Sequence, residues 1–181
     1  MASDEGEPPF ERLYRETCRR MLAKGIVVCG GDVALAQDAV QEAYVICWRR
    51  MNSGQRVENW KAWLAVVVVR ECLRALRGAP GTYPLADLEV AAREPEFAEH
   101  LDLKDAYRRV CGAIVELSDR QRSAVALCCL ADLGAREAGR IMGIEAPTVR
   151  VHLTRARQAL RPLWEELREL GVLEDRWGGE A

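Results

Sequence analysis

From Gly78 to about Leu101 the chain is interrupted by Gly78, Pro80, Gly81, Pro84 and Pro95, so no compact layer can form there and apolar residues must be buried on either side. Residues 78–105 also carry two Lys/Arg against seven Asp/Glu, and like charges extend a linker further. The sequence therefore predicts two small modules, residues 1–77 and 105–164, joined by a flexible acidic linker at 78–104 and followed by an acidic extension at 165–181. In both modules apolar residues recur at three and four, which predicts an all-α fold.

In the first module Phe10, Leu13, Tyr14, Thr17, Met21 and Leu22 form one helical stripe. Cys29-Gly30-Gly31-Asp32 ends that helix. No strand precedes the glycine pair and no phosphate-loop pattern surrounds it, so a tight turn is expected, with Asp32 capping the next helix. That helix, from about Val33 to Met51, has a core stripe of Ala36, Ala39, Val40, Ala43, Tyr44, Cys47 and Met51. On its other side Asp38, Gln41, Glu42 and Val45 form a ridge, for which solvent is the simpler explanation on the residues alone. A third helix is expected from about Asn59 to Arg77. Its Val66-Val67-Val68-Val69 run favours a strand, but the flanking residues favour a helix.

The second module is basic, with ten Lys/Arg, all arginine, against five Asp/Glu over residues 106–164. Ser118 and Gln121 form a capping box, a short helix from about Ala135 to Met142 ends at Gly143, and Pro147 opens the last long helix. Pro162 should end or kink that helix. Two helices across a short turn, the second arginine-rich, make a helix-turn-helix. Val149, Leu153, Ala156 and Leu160 should face inward, leaving Arg150, Val151, Thr154, Arg155 and Arg157 outside. Pro147 to Leu163 holds no Asp or Glu, which suits a helix that enters a DNA groove.

Other classes find little support. The seven cysteines include no C-x-x-C pair and mostly fall in apolar stretches, where free cysteine behaves as a small hydrophobe, so no metal or cofactor is expected. No hydrolase, zinc-protease or phosphate-loop signature is present, and an enzyme is not expected. The longest apolar run, Ala62 to Val69, is far short of the roughly 20 residues a membrane span needs, and the N-terminus lacks a signal-peptide pattern, so a cytoplasmic location without membrane contact is expected.

The segments Leu117 to Arg122, Leu133 to Ile144 and Thr148 to Arg157 resemble region 4 of the extracytoplasmic-function sigma factors of bacterial RNA polymerase. Asp38 to Trp48 resembles region 2.2 of that family, and Trp63-Leu64 the start of its region 2.4 helix. The resemblance spans roughly residues 9–164. It implies that the chain binds core RNA polymerase and directs promoter-specific initiation, with an anti-sigma factor as a possible further partner. It places Asp38, Gln41, Glu42 and Val45 at the polymerase contact. Asn52, Gln55, Asn59, Arg70 and Arg74 fall at the minus-10 DNA, and Thr148, Arg150, Val151, Thr154, Arg155 and Arg157 at the minus-35 DNA. Three departures accompany it: Val69, Arg70 and Arg74 stand where the family usually has an Arg-Asn pair and an Asp, Val151 stands at a commonly small polar position, and Gly134 replaces a Ser or Thr cap. The alternative is a stand-alone helix-turn-helix regulator that does not associate with core polymerase.

Overall fold

The first helix, α1 (Pro9–Val28), buries Leu13, Thr17 and Met21 at intervals of four, then Gly25, Ile26 and Val28 as its last turn becomes enclosed. The structure, a computed structural model, describes residues 9–78 and 101–169. Most of the expected linker, the first eight residues and the chain beyond Glu169 lie outside that range. Among the described residues Thr17 is the one buried polar or charged side chain; its Oγ1 donates to Leu13 O at 2.6 Å and lies 2.8 Å from Tyr44 Oη on the next helix. Burial pushes the Tyr44 phenol up to about 12. Tyr44→Phe should cost about 1 kcal/mol, the usual net worth of such a bond, since Thr17 keeps its bond to Leu13. A fall in thermal midpoint of a few degrees would show this, and an unchanged midpoint would mean that water already replaces the contact.

Helix α2 (Val33–Asn52) starts at Asp32, whose Oδ1 accepts the Leu35 N–H at 2.9 Å, as the sequence predicts. Its buried face is Ala36, Ala39, Val40, Ala43, Tyr44 and Cys47. Small residues there let α1 and α3 approach closely. Helix α3 (Trp60–Gly78) contains the valine run, with Val67, Val68 and Val69 buried, because two packed helices outweigh the modest helix propensity of valine. These three helices pack on one another as a bundle. Tyr14 differs from expectation: it is 49% exposed and stacks edge-on against Tyr44 at the rim of the core.

In the second half, α4 (Leu101–Glu116) is followed by the Ser118–Gln121 cap, in which the Ser118 N–H donates to Gln121 Oε1 at 3.1 Å. Helix α5 begins at Asp119, and over Ala126–Leu130 it widens into π-helical bonding, with Ala131 N–H donating to Ala126 O at 3.0 Å. Asp132, at φ 57°, ends it in the left-handed conformation that aspartate tolerates better than most residues. Helices α6 (Ala135–Met142) and α7 (Ala146–Glu169) complete the module. All described elements are helical, so the fold is all-α, a three-helix bundle and a helix-turn-helix module.

One expectation needs correction. Pro162 neither ends nor breaks α7, which continues to Glu169. The proline is exposed, so water can take the carbonyl it leaves free, and Leu160 and Trp164 pack on α4 from either side of it. Pairs from Arg161 to Glu165 and from Arg109 to Glu166 hold the final turns. The two modules touch one another. Buried Leu127, Ala131, Ala138 and Val149 belong to one apolar cluster with Val28, Leu64 and Cys72, α4 lies on α1, and the end of α5 lies on α3.

Candidate nucleic-acid and polymerase interfaces

The turn between α6 and α7 is fixed by two glycines. Gly143 takes φ 66° and ψ 35°, the left-handed cap expected, and its N–H donates to Gly139 O. The Ile144 N–H donates to the same oxygen at 3.0 Å, which folds the turn back over Gly139. A Cβ on Gly139 would stand 2.6 Å from Ile144 O, so only glycine allows this approach. The Gly134 N–H donates to Glu137 Oε2 at 3.2 Å, the half of a capping box that needs no side chain at position 134.

The turn sets the face that α7 presents. Val149 and Ala156 are fully buried and Leu160 nearly so, with Leu153 half-buried beside them. Arg150, Val151, Thr154 and Arg155 then occupy an arc of about 140° on the opposite side, at about 100° per residue. All four are exposed, as is Thr148, and neither Arg150 nor Arg155 has an ion pair among the described residues. Arg157 is exposed but lies at the edge of the buried face, close enough to Cys128 and Cys129 for its charge to act on both thiols. Arg136 and Arg140 of α6 line an open hollow of about 560 Å³ beside the start of α7. Sequence reasoning passed over both arginines, although their spacing of four on a short helix marks one exposed face.

On α2 the ridge is present: Asp38, Gln41, Glu42 and Val45 are all exposed, Val45 by 39%. It continues one turn further in Trp48, which is 52% exposed. The i, i+3 spacing from Val45 would have found this tryptophan, since exposure of so large an apolar side chain calls for a reason.

Asn52 ends α2 and Gln55 lies in the loop that follows, both exposed. Asn59 has a local duty, because its Oδ1 accepts the Ala62 N–H at 3.0 Å and caps α3. Arg70 and Arg74 lie one turn apart on the exposed side of α3, and Arg74 is bound through Nε to Glu71 at 2.6 Å. Val69 is wholly buried and cannot face a ligand. Beside the loop, Trp60 and Trp63 stack edge-on with centroids 5.7 Å apart, and the Arg50 guanidinium lies 5.0 Å from the Trp63 ring centroid. Such a half-buried aromatic pair next to exposed amides offers stacking area to an unpaired base.

A three-helix bundle followed by a helix-turn-helix whose second helix exposes arginines and no acidic residue from Pro147 to Leu163 defines a two-module DNA-recognition protein. The family model for sigma-70 region 2 matches residues 10–80, and that for sigma-70 region 4 matches residues 108–160. The ECF RNA polymerase sigma factor SigW of Bacillus subtilis is 27% identical over 88% of this chain and 85% of its own length. The ECF RNA polymerase sigma factor SigM of Mycobacterium tuberculosis is 29% identical over 85% of this chain and 76% of its own. Among solved structures, the sigma factor RpoE of Bartonella quintana, in complex with the anti-sigma factor NepR, matches with a TM-score of 0.54 and 25% identity, covering 86% of this chain and 96% of that one. The chain belongs to the sigma-70 family, in its extracytoplasmic-function group. It is a sigma factor that binds core RNA polymerase and directs promoter-specific transcription initiation.

Proposed function

We propose that Arg150, Val151, Thr154 and Arg155 read the minus-35 element in the major groove, with Thr148 and Arg157 on the backbone beside it. The observation that carries this reading is the acid-free exposed arc of α7, held opposite a fully buried stripe. Arg136 and Arg140 add phosphate contacts from α6, since in this motif the first helix crosses the backbone. For the minus-10 element, Asn52 and Gln55 approach a flipped base over the Trp60–Trp63 pair, and Arg70 and Arg74 hold the strand by charge. Asn59 serves there chiefly by fixing the loop end through its cap.

The α2 ridge of Asp38, Gln41, Glu42 and Val45, extended by Trp48, is the contact with core polymerase. An exposed aromatic among charged and amide groups is the usual make-up of an energetic centre at a protein interface. The chain acts by recognition and contributes no bond chemistry of its own. It works in the cytoplasm, where polymerase and promoter meet, and no helix among the described residues is long and apolar enough to cross a membrane. An anti-sigma factor is a fitting partner, since the structurally similar RpoE was solved with one.

The ridge supplies the test. Asp38→Ala combined with Gln41→Ala should leave the helix content unchanged, because both side chains are exposed, and should weaken binding to core by roughly tenfold or more. Unaltered core affinity in that double variant, measured by competition with the unmodified chain, would remove the ridge from the interface.

A further inference from the structure

At about 100° per residue, Trp63, Arg70, Arg74 and Arg77 share an arc of about 60° on one side of α3. The three arginines are exposed, and Arg77 carries toward the helix end a face that begins at the aromatic pair. Neither Arg70 nor Arg77 has an ion pair among the described residues. Arg74 is held differently. Glu71, the one acidic residue of α3, accepts from Arg74 Nε at 2.6 Å and from its Nη2 at 2.5 Å, both through Oε2.

Both bonds lie on the side edge of the guanidinium, which leaves free the parallel pair of N–H groups on its outer edge, one on each terminal nitrogen. The Arg74 side chain is 72% exposed and that of Glu71 only 12%, so a largely enclosed carboxylate holds an outward-facing fork. A long side chain that is not held must give up its rotational freedom before it can match a base edge. Arg74 has given it up in advance. Charge alone does not account for this pair. A carboxylate beside a DNA strand is repelled, and it offsets the attraction that Arg74 would offer a phosphate. The acid has a purpose if Arg74 supplies geometry while Arg70 and Arg77 supply charge.

Resting on the minus-10 reading above, we infer that Arg74, oriented by Glu71, reads a guanine of the minus-10 element through its O6 and N7 acceptors, and that Arg70 and Arg77 contact phosphates on either side. O6 and N7 are the acceptor pair that a guanidinium fork matches bidentately. Arg74 stands about 16 Å along α3 from Trp63, so this guanine lies within about five base pairs of the base that stacks on the aromatic pair. Glu71 is a positioning residue, acting only through Arg74.

Arg74→Lys separates geometry from charge, because lysine keeps the cation and lacks the fork. Holoenzyme carrying the unmodified chain, Arg74→Lys or Glu71→Ala is assayed by run-off transcription in competition between fragments that differ at single base pairs of the downstream element. The unmodified chain should prefer guanine at one position, and that preference should fall roughly 5- to 150-fold in Arg74→Lys while the other positions keep theirs. Glu71→Ala should lower the same preference roughly 2- to 10-fold, the cost of ordering a freed side chain, and should bind fragments of every sequence more tightly, because an acid has left the DNA face. A merely structural Glu71 would show neither sign and would weaken transcription from all fragments alike. That result, an element with no preference for guanine, or a full preference kept by either variant would overturn the inference and leave the minus-10 reading standing. Transcription that survives replacement of the whole downstream element would instead remove the minus-10 reading, and the inference with it.

Discussion

Gly139→Ala should disable reading of the upstream element while leaving the α1–α3 bundle folded. On an open helix this substitution would help, by roughly 0.5–1 kcal/mol, because alanine is the better helix former. Here the added methyl meets Ile144 O at 2.6 Å, a backbone atom that cannot swing aside because the Ile144 N–H is bound to Gly139 O at 3.0 Å. Relief requires the turn to open, with loss of the two hydrogen bonds that converge on that oxygen and a change in the angle between α6 and α7. Overpacking of this kind costs about 1–3 kcal/mol. The larger consequence is functional, since a recognition helix displaced by about 1 Å no longer matches base edges. Footprints of holoenzyme on a two-element promoter should lose upstream protection and keep the downstream part. A full footprint from the Gly139→Ala holoenzyme would show that the turn yields without moving α7.

The second large effect is expected at Arg150 and Arg155. Both are exposed on the acid-free side of α7 and neither has an ion pair among the described residues, so both guanidinium groups are available to a ligand. A guanidinium bidentate to guanine is worth about 1–3 kcal/mol of discrimination, and its loss relaxes preference at one base pair. A phosphate contact instead weakens binding to all sequences equally and lowers the salt slope by roughly one unit. At least one of Arg150→Ala and Arg155→Ala should follow the base-specific pattern, in holoenzyme on promoters with single upstream substitutions. Arg157→Ala should follow the phosphate pattern, because this residue sits at the margin of the buried face, beside Cys128 and Cys129. If both alanine variants at 150 and 155 discriminate as well as the unmodified chain, α7 is not the reading helix.

Local chemistry is what the sequence makes legible. Asp32, the Ser118–Gln121 pair and Gly143 each carry their meaning within four residues, and the structure bears out all three as helix boundaries. The spacing of Val149, Ala156 and Leu160 likewise identifies the buried side of α7 and hence the exposed one. What the sequence conceals depends on partners distant along the chain. Pro162 reads as a breaker until Leu160 and Trp164 are seen packed on α4, 50 or so residues earlier. Gly30 reads as an ordinary turn until Val115 is found against it. Tyr14 falls on the apolar stripe yet sits at its rim, because a stripe read from periodicity has no edge until the neighbouring helices are placed. Asn59 could serve either a base or a helix end from its spacing alone, and the cap it makes with Ala62 gives it a local task.

The most direct test of the account is run-off transcription from genomic promoter fragments with core polymerase, with and without this chain, followed by footprints on the active fragments. The expected result is a set of specific transcripts that require both core and chain and that disappear when either the upstream or the downstream element is replaced. Protection of an upstream-type element by the chain alone, with transcription neither dependent on it nor altered by core, would contradict the account and favour a stand-alone helix-turn-helix regulator.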